Sequence, residues 1–88
     1  MKFEDRFLKS SNLVKHQKLH DGVQYIFKGS QSDTYYSVVR HHVSYGHERG
    51  LYELAKCVQV DGINQVIEEP IGWLSIDEVL EKVEQEND

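Results

Sequence analysis

The segment VVRHHVSYGHERGLYELA, residues 38–55, concentrates side chains that bind anions. Its guanidinium and imidazole groups can hold a phosphate, and its tyrosine rings can stack on a base. Two glycines let backbone amides approach a ligand closely. The residues of this candidate ligand site are Arg40, His41, His42, Tyr45, His47, Arg49 and Tyr52. The alternative is a solvated loop in which the glycines supply turn geometry and the tyrosines pack on a sheet.

The histidines of this segment, together with Cys57, also offer nitrogen and sulfur ligands for a metal ion. However, the adjacent side chains of His41 and His42 would point to opposite faces of a strand. The chain contains neither a C-x-x-C nor an H-E-x-x-H motif. The sequence therefore predicts no metal site and no cofactor.

Covalent or acid–base catalysis has little support in the sequence. Cys57 lies in the run AKCVQV, where a small core or sheet residue is expected rather than a reactive thiolate. Glu68 and Glu69 are adjacent and precede Pro70, which is typical of a solvated loop rather than an acid/base pair. No G-x-S-x-G motif is present. We expect a protein that is not an enzyme.

The charge of the chain is unevenly distributed. Residues 1–56 contain nine Lys/Arg and six Asp/Glu, and residues 57–88 contain one Lys and nine Asp/Glu, so +3 and −8 make the net charge of −5. This sign disfavours binding to duplex DNA, which needs an excess of basic residues. The acidic half instead offers a candidate surface for a basic partner protein. Its candidate binding residues are Glu68, Glu69, Asp77, Glu81 and Glu84.

Length and composition indicate a single domain over residues 1–88. No run of about 18 apolar residues is present, so no membrane contact is expected. The start MKFEDRFLKS has acids where a signal peptide needs an apolar stretch. A single cysteine agrees with a cytoplasmic location, because small secreted domains usually carry several disulfides.

The apolar and turn patterns predict an antiparallel meander of about four strands. Asp21-Gly22, between two alternating runs, predicts a hairpin turn, and Asp61-Gly62 predicts another turn. Phe3, Phe7 and Leu8 have helical spacing, which indicates a short N-terminal helix. The strands are expected at 13–19, 23–28, 34–41 and 51–60, with residues 63–73 extended at best.

A C-terminal helix is the clearest element. Ser75 and Glu78 form a capping box, and Leu74 and Val79 have the spacing of a hydrophobic staple. The apolar stripe of this helix contains Ile76, Val79, Leu80 and Val83, and it must dock on the sheet. Trp73, just before the cap, and the pair Tyr35-Tyr36 are candidate interface anchors, but Trp73 is expected in the core beside Ile71 and Leu74. The fold class is therefore α+β, with the helix packed on one face of the sheet.

Several motifs resemble a group of small phage and prophage proteins. The pattern of that group is a hairpin, an S-V-V-R strand, an S-Y-G…G-L-Y/W-E-L-A segment and a closing I/L-G-Y/W-L-T/S-x-x-E-V helix. The matching positions are Ser37 to Arg40, Ser44 to Gly46, Gly50 to Ala55 and Ile71 to Ser75. The chain departs from the pattern at His42 and His47.

This resemblance implies a phage or prophage accessory protein that acts by binding in the host cytoplasm, with host defence as the expected target. Two classes of partner remain open. The acidic surface would block a host protein, or the loop 40–49 would capture a phosphorylated ligand or nucleotide signal. An exposed edge strand also favours a homodimer.

Overall fold

The computed structural model describes residues 2–42, 44 and 46–87, with only the backbone described at His47. The elements are α1 (Asp5–Leu8), β1 (Leu13–Leu19), β2 (Gly22–Lys28), β3 (Thr34–Arg40), a 3₁₀ turn (His47–Arg49), β4 (Tyr52–Val60), β5 (Ile63–Val66), β6 (Ile71–Leu74) and α2 (Ile76–Asn87). Within these residues, no helix is long and apolar enough to cross a membrane.

The strands form one antiparallel sheet, as the sequence predicts, with the C-terminal helix α2 packed against it. The order is β1-β2-β3-β4-β5, and β6 also pairs with β4. The prediction of about four strands is too low, because residues 63–73 supply two further short strands. Both lie along the same side of β4: β5 pairs with its end at Val60, and β6 pairs with its start at Tyr52.

The two Asp-Gly pairs have different roles. Asp61 and Gly62 have φ values of 52° and 78°, as the tight β4–β5 turn requires. The first hairpin instead turns at His20-Asp21, because Leu19 already pairs with Gly22, and the positive φ of 56° falls on His20. The prediction of a turn at Asp21-Gly22 is therefore displaced by one residue. A Cβ at Gly22 would lie 1.8 Å from the carbonyl oxygen of Arg40, so this glycine permits close approach of β3.

The core lies between the sheet and the two helices. Phe7 of α1 is fully buried and makes edge-to-face ring contacts with Tyr25, Phe27 and Tyr52. From α2, Val79 and Val83 are fully buried. The remaining residues of the predicted stripe, Ile76 and Leu80, are partly buried against the same core. The stripe therefore docks as expected.

The predicted capping box fixes the start of α2. The backbone N–H of Glu78 donates to Ser75 Oγ at 3.2 Å, and the backbone N–H of Ser75 donates to Glu78 Oε1 at 3.0 Å. Hydrogen bonds to the Glu78 carboxyl, first from the backbone N–H of Ser75 and then from its side chain, lower the pKa of that carboxyl because they favour its charged form. Leu74 and Val79, the two staple positions, belong to one buried cluster. The cap sets where the helix begins after the edge strand β6.

Candidate functional site

The structure separates the candidate ligand residues into distinct environments. Strand β3 ends at Arg40, so His41 and His42 lie in the following turn rather than on a strand. The expectation that they point to opposite faces is therefore wrong, and their ring centroids are 6.0 Å apart. Tyr45 and the side chain of His47 lie outside the described residues.

A third imidazole, not singled out from the sequence, completes a histidine cluster. The ring of His20 lies 5.3 Å from that of His41 and 5.9 Å from that of His42. His20 is in the β1–β2 turn, which the pairing of Val23 with Arg40 places beside the end of β3. Hairpin topology was the signal in the sequence that could have indicated this cluster. In a meander of three strands, the turn between the first two strands lies beside the end of the third.

Asp21 fixes one ring of this cluster. Its Oδ1 accepts the backbone N–H of His42 at 2.9 Å and lies 2.8 Å from His42 Nδ1. Hydrogen bonds from His42 lower the pKa of Asp21 to about 2. The pKa of His41 is also lowered, first by desolvation and then by the neighbouring His20 and His42. In the described part of the chain, no group of three or more His, Cys, Asp or Glu side chains is arranged to hold a metal ion.

Arg40 and Tyr52 form a second local group. The guanidinium carbon of Arg40 lies 5.9 Å from the centroid of the Tyr52 ring, within cation–π range. Arg40 Nε is buried and finds no hydrogen-bond acceptor in the described part of the chain. Tyr52 is only 4% exposed, so its ring is a core element and cannot stack on a base as the candidate ligand site required.

Arg49 joins the loop to Trp73. Its guanidinium carbon lies 5.7 Å from the centroid of the indole, and Trp73 is 54% exposed. The prediction of a core tryptophan is therefore wrong. Tyr52 pairs with Leu74 but Leu54 pairs with Ile71, so a β-bulge holds Trp73 at a φ of 63°. Bulges change the direction of side chains in this way.

Gly46 holds the loop against this bulge. It is buried and has a φ of 87°, and a Cβ at this position would lie 3.0 Å from Trp73 Cα. Any side chain there would press on the backbone of β6. The loop and the tryptophan are therefore packed as one unit.

The candidate acidic residues are all exposed, but they are not equivalent. Asp77 forms an ion pair with Arg6 of α1, which neutralises part of the surface. Glu81 accepts a hydrogen bond from Gln85 at 3.3 Å. Glu68 and Glu69 lie between β5 and β6. Among the described residues, none of the ion pairs involves Glu68, Glu69 or Glu81.

Exposed aliphatic side chains flank Glu68 and Glu69. Lys56, whose ammonium lies 3.7 Å from a carboxylate oxygen of Glu86, marks the side of β4 that faces α2. Val60 lies on this side because it is four residues further along the strand, and Ile63 shares it as the partner of Val60. Ile67 donates its N–H to the Lys56 carbonyl oxygen at 3.0 Å and so continues the same row.

We call this surface the edge patch. Its members are Val60, Ile63, Ile67, Ile71 and Trp73, each between 43% and 61% exposed. These exposed side chains follow the edge of β4 from β5 to β6, with the polar residues Gln65, Glu68 and Glu69 between them. Exposed apolar side chains gathered along one edge of a sheet are candidates for protein contact. The sequence did not reveal the patch, because alternating apolar residues look the same in a covered and an uncovered strand.

The opposite face of the sheet is concave and encloses about 600 Å³. Gln17 Nε2 donates to Gln24 Oε1 at 2.6 Å, and Gln24 Nε2 donates to Ser37 Oγ at 2.8 Å. Cys57 lies at the floor of this hollow and is 5% exposed, as expected for a sheet residue. Burial raises the pKa of the Cys57 thiol, which disfavours the nucleophilic thiolate.

Comparison with known proteins gave no match. No family model, curated protein or solved structure matches this chain.

Proposed function

We propose that this protein is a non-enzymatic binding protein that docks on a partner protein through the edge patch and its acidic border. The observation that carries the proposal is Trp73, held exposed on a β-bulge within the patch. A bulky residue at positive φ costs about 1–3 kcal/mol of backbone strain. Such strain persists at functional positions, and exposed tryptophans supply much of the binding energy at protein interfaces.

The surroundings of Trp73 agree with this role. Arg49 is placed over the indole, and the aliphatic members of the patch continue away from it along the edge of β4. An aromatic and arginine pair beside an apolar area has the composition of an interface centre. Burial of the patch would release about 25 cal/mol for each Å² of apolar surface removed from water.

The charge around the patch indicates a basic partner. Glu68 and Glu69 interrupt the row between Ile67 and Ile71, and the exposed carboxylates of Glu81 and Glu84 lie on α2. Exposed carboxylates such as these steer basic proteins and make their association sensitive to salt. In the setting that the phage resemblance implies, the proposed partner is a host protein, and the proposed outcome is inhibition of a host defence system in the cytoplasm.

The test is capture of a partner from host lysate by immobilised wild type and matched variants. Trp73→Ala and Ile67→Asp are expected to lose the captured protein and retain the wild-type melting temperature. Val14→Ser is the control, because Val14 is 65% exposed but lies on β1, at the opposite edge. Equal capture by all four proteins would contradict the proposal.

A second candidate function rests on Arg40. Its buried Nε lacks an acceptor among the described residues, and a Cβ on Gly50 would lie 3.4 Å from its Nη2. A phosphorylated ligand could supply the missing acceptor at the loop 40–49. The candidate is tested by calorimetry with nucleotides and inorganic phosphate. Loss of binding in Arg40→Ala, with partner capture unchanged, would favour it over protein docking.

A further inference from the structure

The edge patch surrounds a strand with a free side. In the part of the chain that the structure describes, β5 pairs only with β4, so its outer side has no neighbouring strand. Val60 and Ile63 form the pair that closes the β4–β5 turn, and the Ile67 N–H donates to the Lys56 carbonyl oxygen. These two contacts fix which residues of β5 direct their backbone groups toward β4. In an antiparallel pair the intervening residues direct their backbone groups outward. The outward residues of β5 are therefore Asn64 and Val66.

Acidic side chains bound this strand at both ends. Asp61 precedes β5, and Glu68 and Glu69 follow it, all of them exposed. In the described residues none of the three forms an ion pair with a basic side chain. A segment lying along β5 would thus meet Ile63, Gln65 and Ile67 on the face of α2, Asn64 and Val66 on the other face, and carboxylates near both ends.

The opposite edge of the sheet is arranged differently. Strand β1 has the sequence LVKHQKL, and its pairing with β2 is interrupted by an irregularity between Leu13 and Lys15. Lysines and bulges at an edge discourage the addition of further strands. Strand β5, INQV, has uncharged residues throughout, as does β6, IGWL, the other strand on that side of β4.

Pairing of β5 with a second copy of itself is opposed by charge. A continuous antiparallel sheet requires that paired residues share a face. Some registers meet this requirement and also pair most of β5. In each of them, Asp61 of one copy lies opposite Glu68 or Glu69 of the other copy, or within two positions of one of them. Like charges so placed in a sheet are destabilising. The occupant should therefore be a different chain.

We propose that β5 accepts an extended segment of the partner protein as an additional antiparallel strand, with apolar side chains at alternate positions and Lys or Arg at both ends. This rests on the proposed protein-binding function and specifies its mode. Backbone hydrogen bonds to Asn64 and Val66 supply affinity, while the patch and the flanking acids select the sequence, as in other strand-addition complexes. The contacts around β5 thereby define a short recognition motif.

The first experiment uses a synthetic ten-residue peptide with valine at alternate positions and lysine at both ends. Binding to the full chain is measured by fluorescence anisotropy and by amide chemical shifts. Shifts centred on β5 and its flanking acids, residues 60–69, are expected. The same peptide with glutamate ends should bind about tenfold more weakly, which corresponds to about 1.4 kcal/mol. Absence of binding by the lysine peptide, or equal affinity of the two peptides, would overturn the proposal.

The second experiment removes one outward donor. Asn64→Pro deletes an N–H that does not pair with β4, whereas Asn64→Ala, the matched control, keeps it. Peptide binding should be lost in the proline variant and kept in the alanine variant, at equal melting temperatures. Binding that survives Asn64→Pro would refute strand addition. If peptide binding behaves as expected but Trp73→Ala still captures the host partner, strand addition stands and the proposed docking function fails.

Discussion

At the scale of single residues, close packing determines the role of residues whose role cannot be read from their type alone. Gly22 looks like a turn residue in the sequence, yet its role is to let the Arg40 carbonyl approach β2. Trp73 looks like a core residue, yet the bulge turns it outward. Both errors arise because neighbours distant in sequence determine the space around a residue. Ser75 and Glu78, whose partners are local, were predicted correctly.

Gly22→Ala is expected to destabilise the fold by about 3 kcal/mol, because its Cβ would overlap backbone atoms that cannot move without separating β2 from β3. The matched control is Gly62→Asn. Gly62 has open space around it and a φ of 78°, which asparagine tolerates. Urea unfolding of both variants measures the difference, and similar midpoints would contradict the assigned role of Gly22.

His41 predicts a pH dependence of stability. Its pKa is lowered in the folded protein by desolvation, His20 and His42, and raised in part by Asp21 and Glu53. The unfolded chain therefore binds the proton more readily, and stability is lost as the pH falls below about 6.5. In His41→Asn, the urea midpoint should change less between pH 7.5 and pH 5.5 than it does in the wild type. The control His16→Asn, on β1, should keep the wild-type slope.

At the scale of elements, local sequence signals placed α2, β1, β2 and β3 closely, and the antiparallel order followed from the short turns between them. The edge strands β5 and β6 were underestimated, since Glu68, Glu69 and Pro70 obscure their alternation. Pairing with β4 nevertheless holds both segments in place. The histidine cluster was missed for a related reason: it depends on which turn lies beside which strand end, not on spacing along the chain.

The cap of α2 gives a prediction at this scale. Ser75→Ala removes the hydroxyl that accepts the Glu78 N–H and should lower the free energy of unfolding by about 1 kcal/mol. Ser75→Asp, which keeps an acceptor at the cap, should retain stability close to wild type. Thermal unfolding distinguishes the two. Equal melting temperatures for the wild type and both variants would contradict a stabilising role of the cap.

At the scale of the whole molecule, the uneven charge of the sequence becomes a difference between surfaces. The basic side chains Lys15 and Lys18 lie on the β1 edge, and the acids Asp61, Glu68 and Glu69 flank the β5 edge. The charge imbalance was predictable by counting. Its association with an uncovered apolar patch was not, because coverage depends on where α2 ends relative to β4.

Reversal of two exposed carboxylates tests the role of this charge. Glu81→Lys combined with Glu84→Lys should weaken partner binding, most strongly at low salt, and leave the melting temperature nearly unchanged. The partner affinity of the wild type should itself fall as salt is added. Lys9→Glu, an exposed change before β1, serves as the control. Salt-independent binding that survives the double reversal would assign the interface to apolar contacts alone.

Trp73 is the only tryptophan of the chain, so the indole that marks the proposed docking surface is also its single strong ultraviolet fluorophore. The free protein should emit at the long wavelengths of a hydrated indole, and a docked partner should shift the emission to the blue. Because the core contains no tryptophan, folding of the core should change this emission little. The molecule thus carries an intrinsic optical reporter of occupancy, and titrations of unlabelled protein can be followed directly.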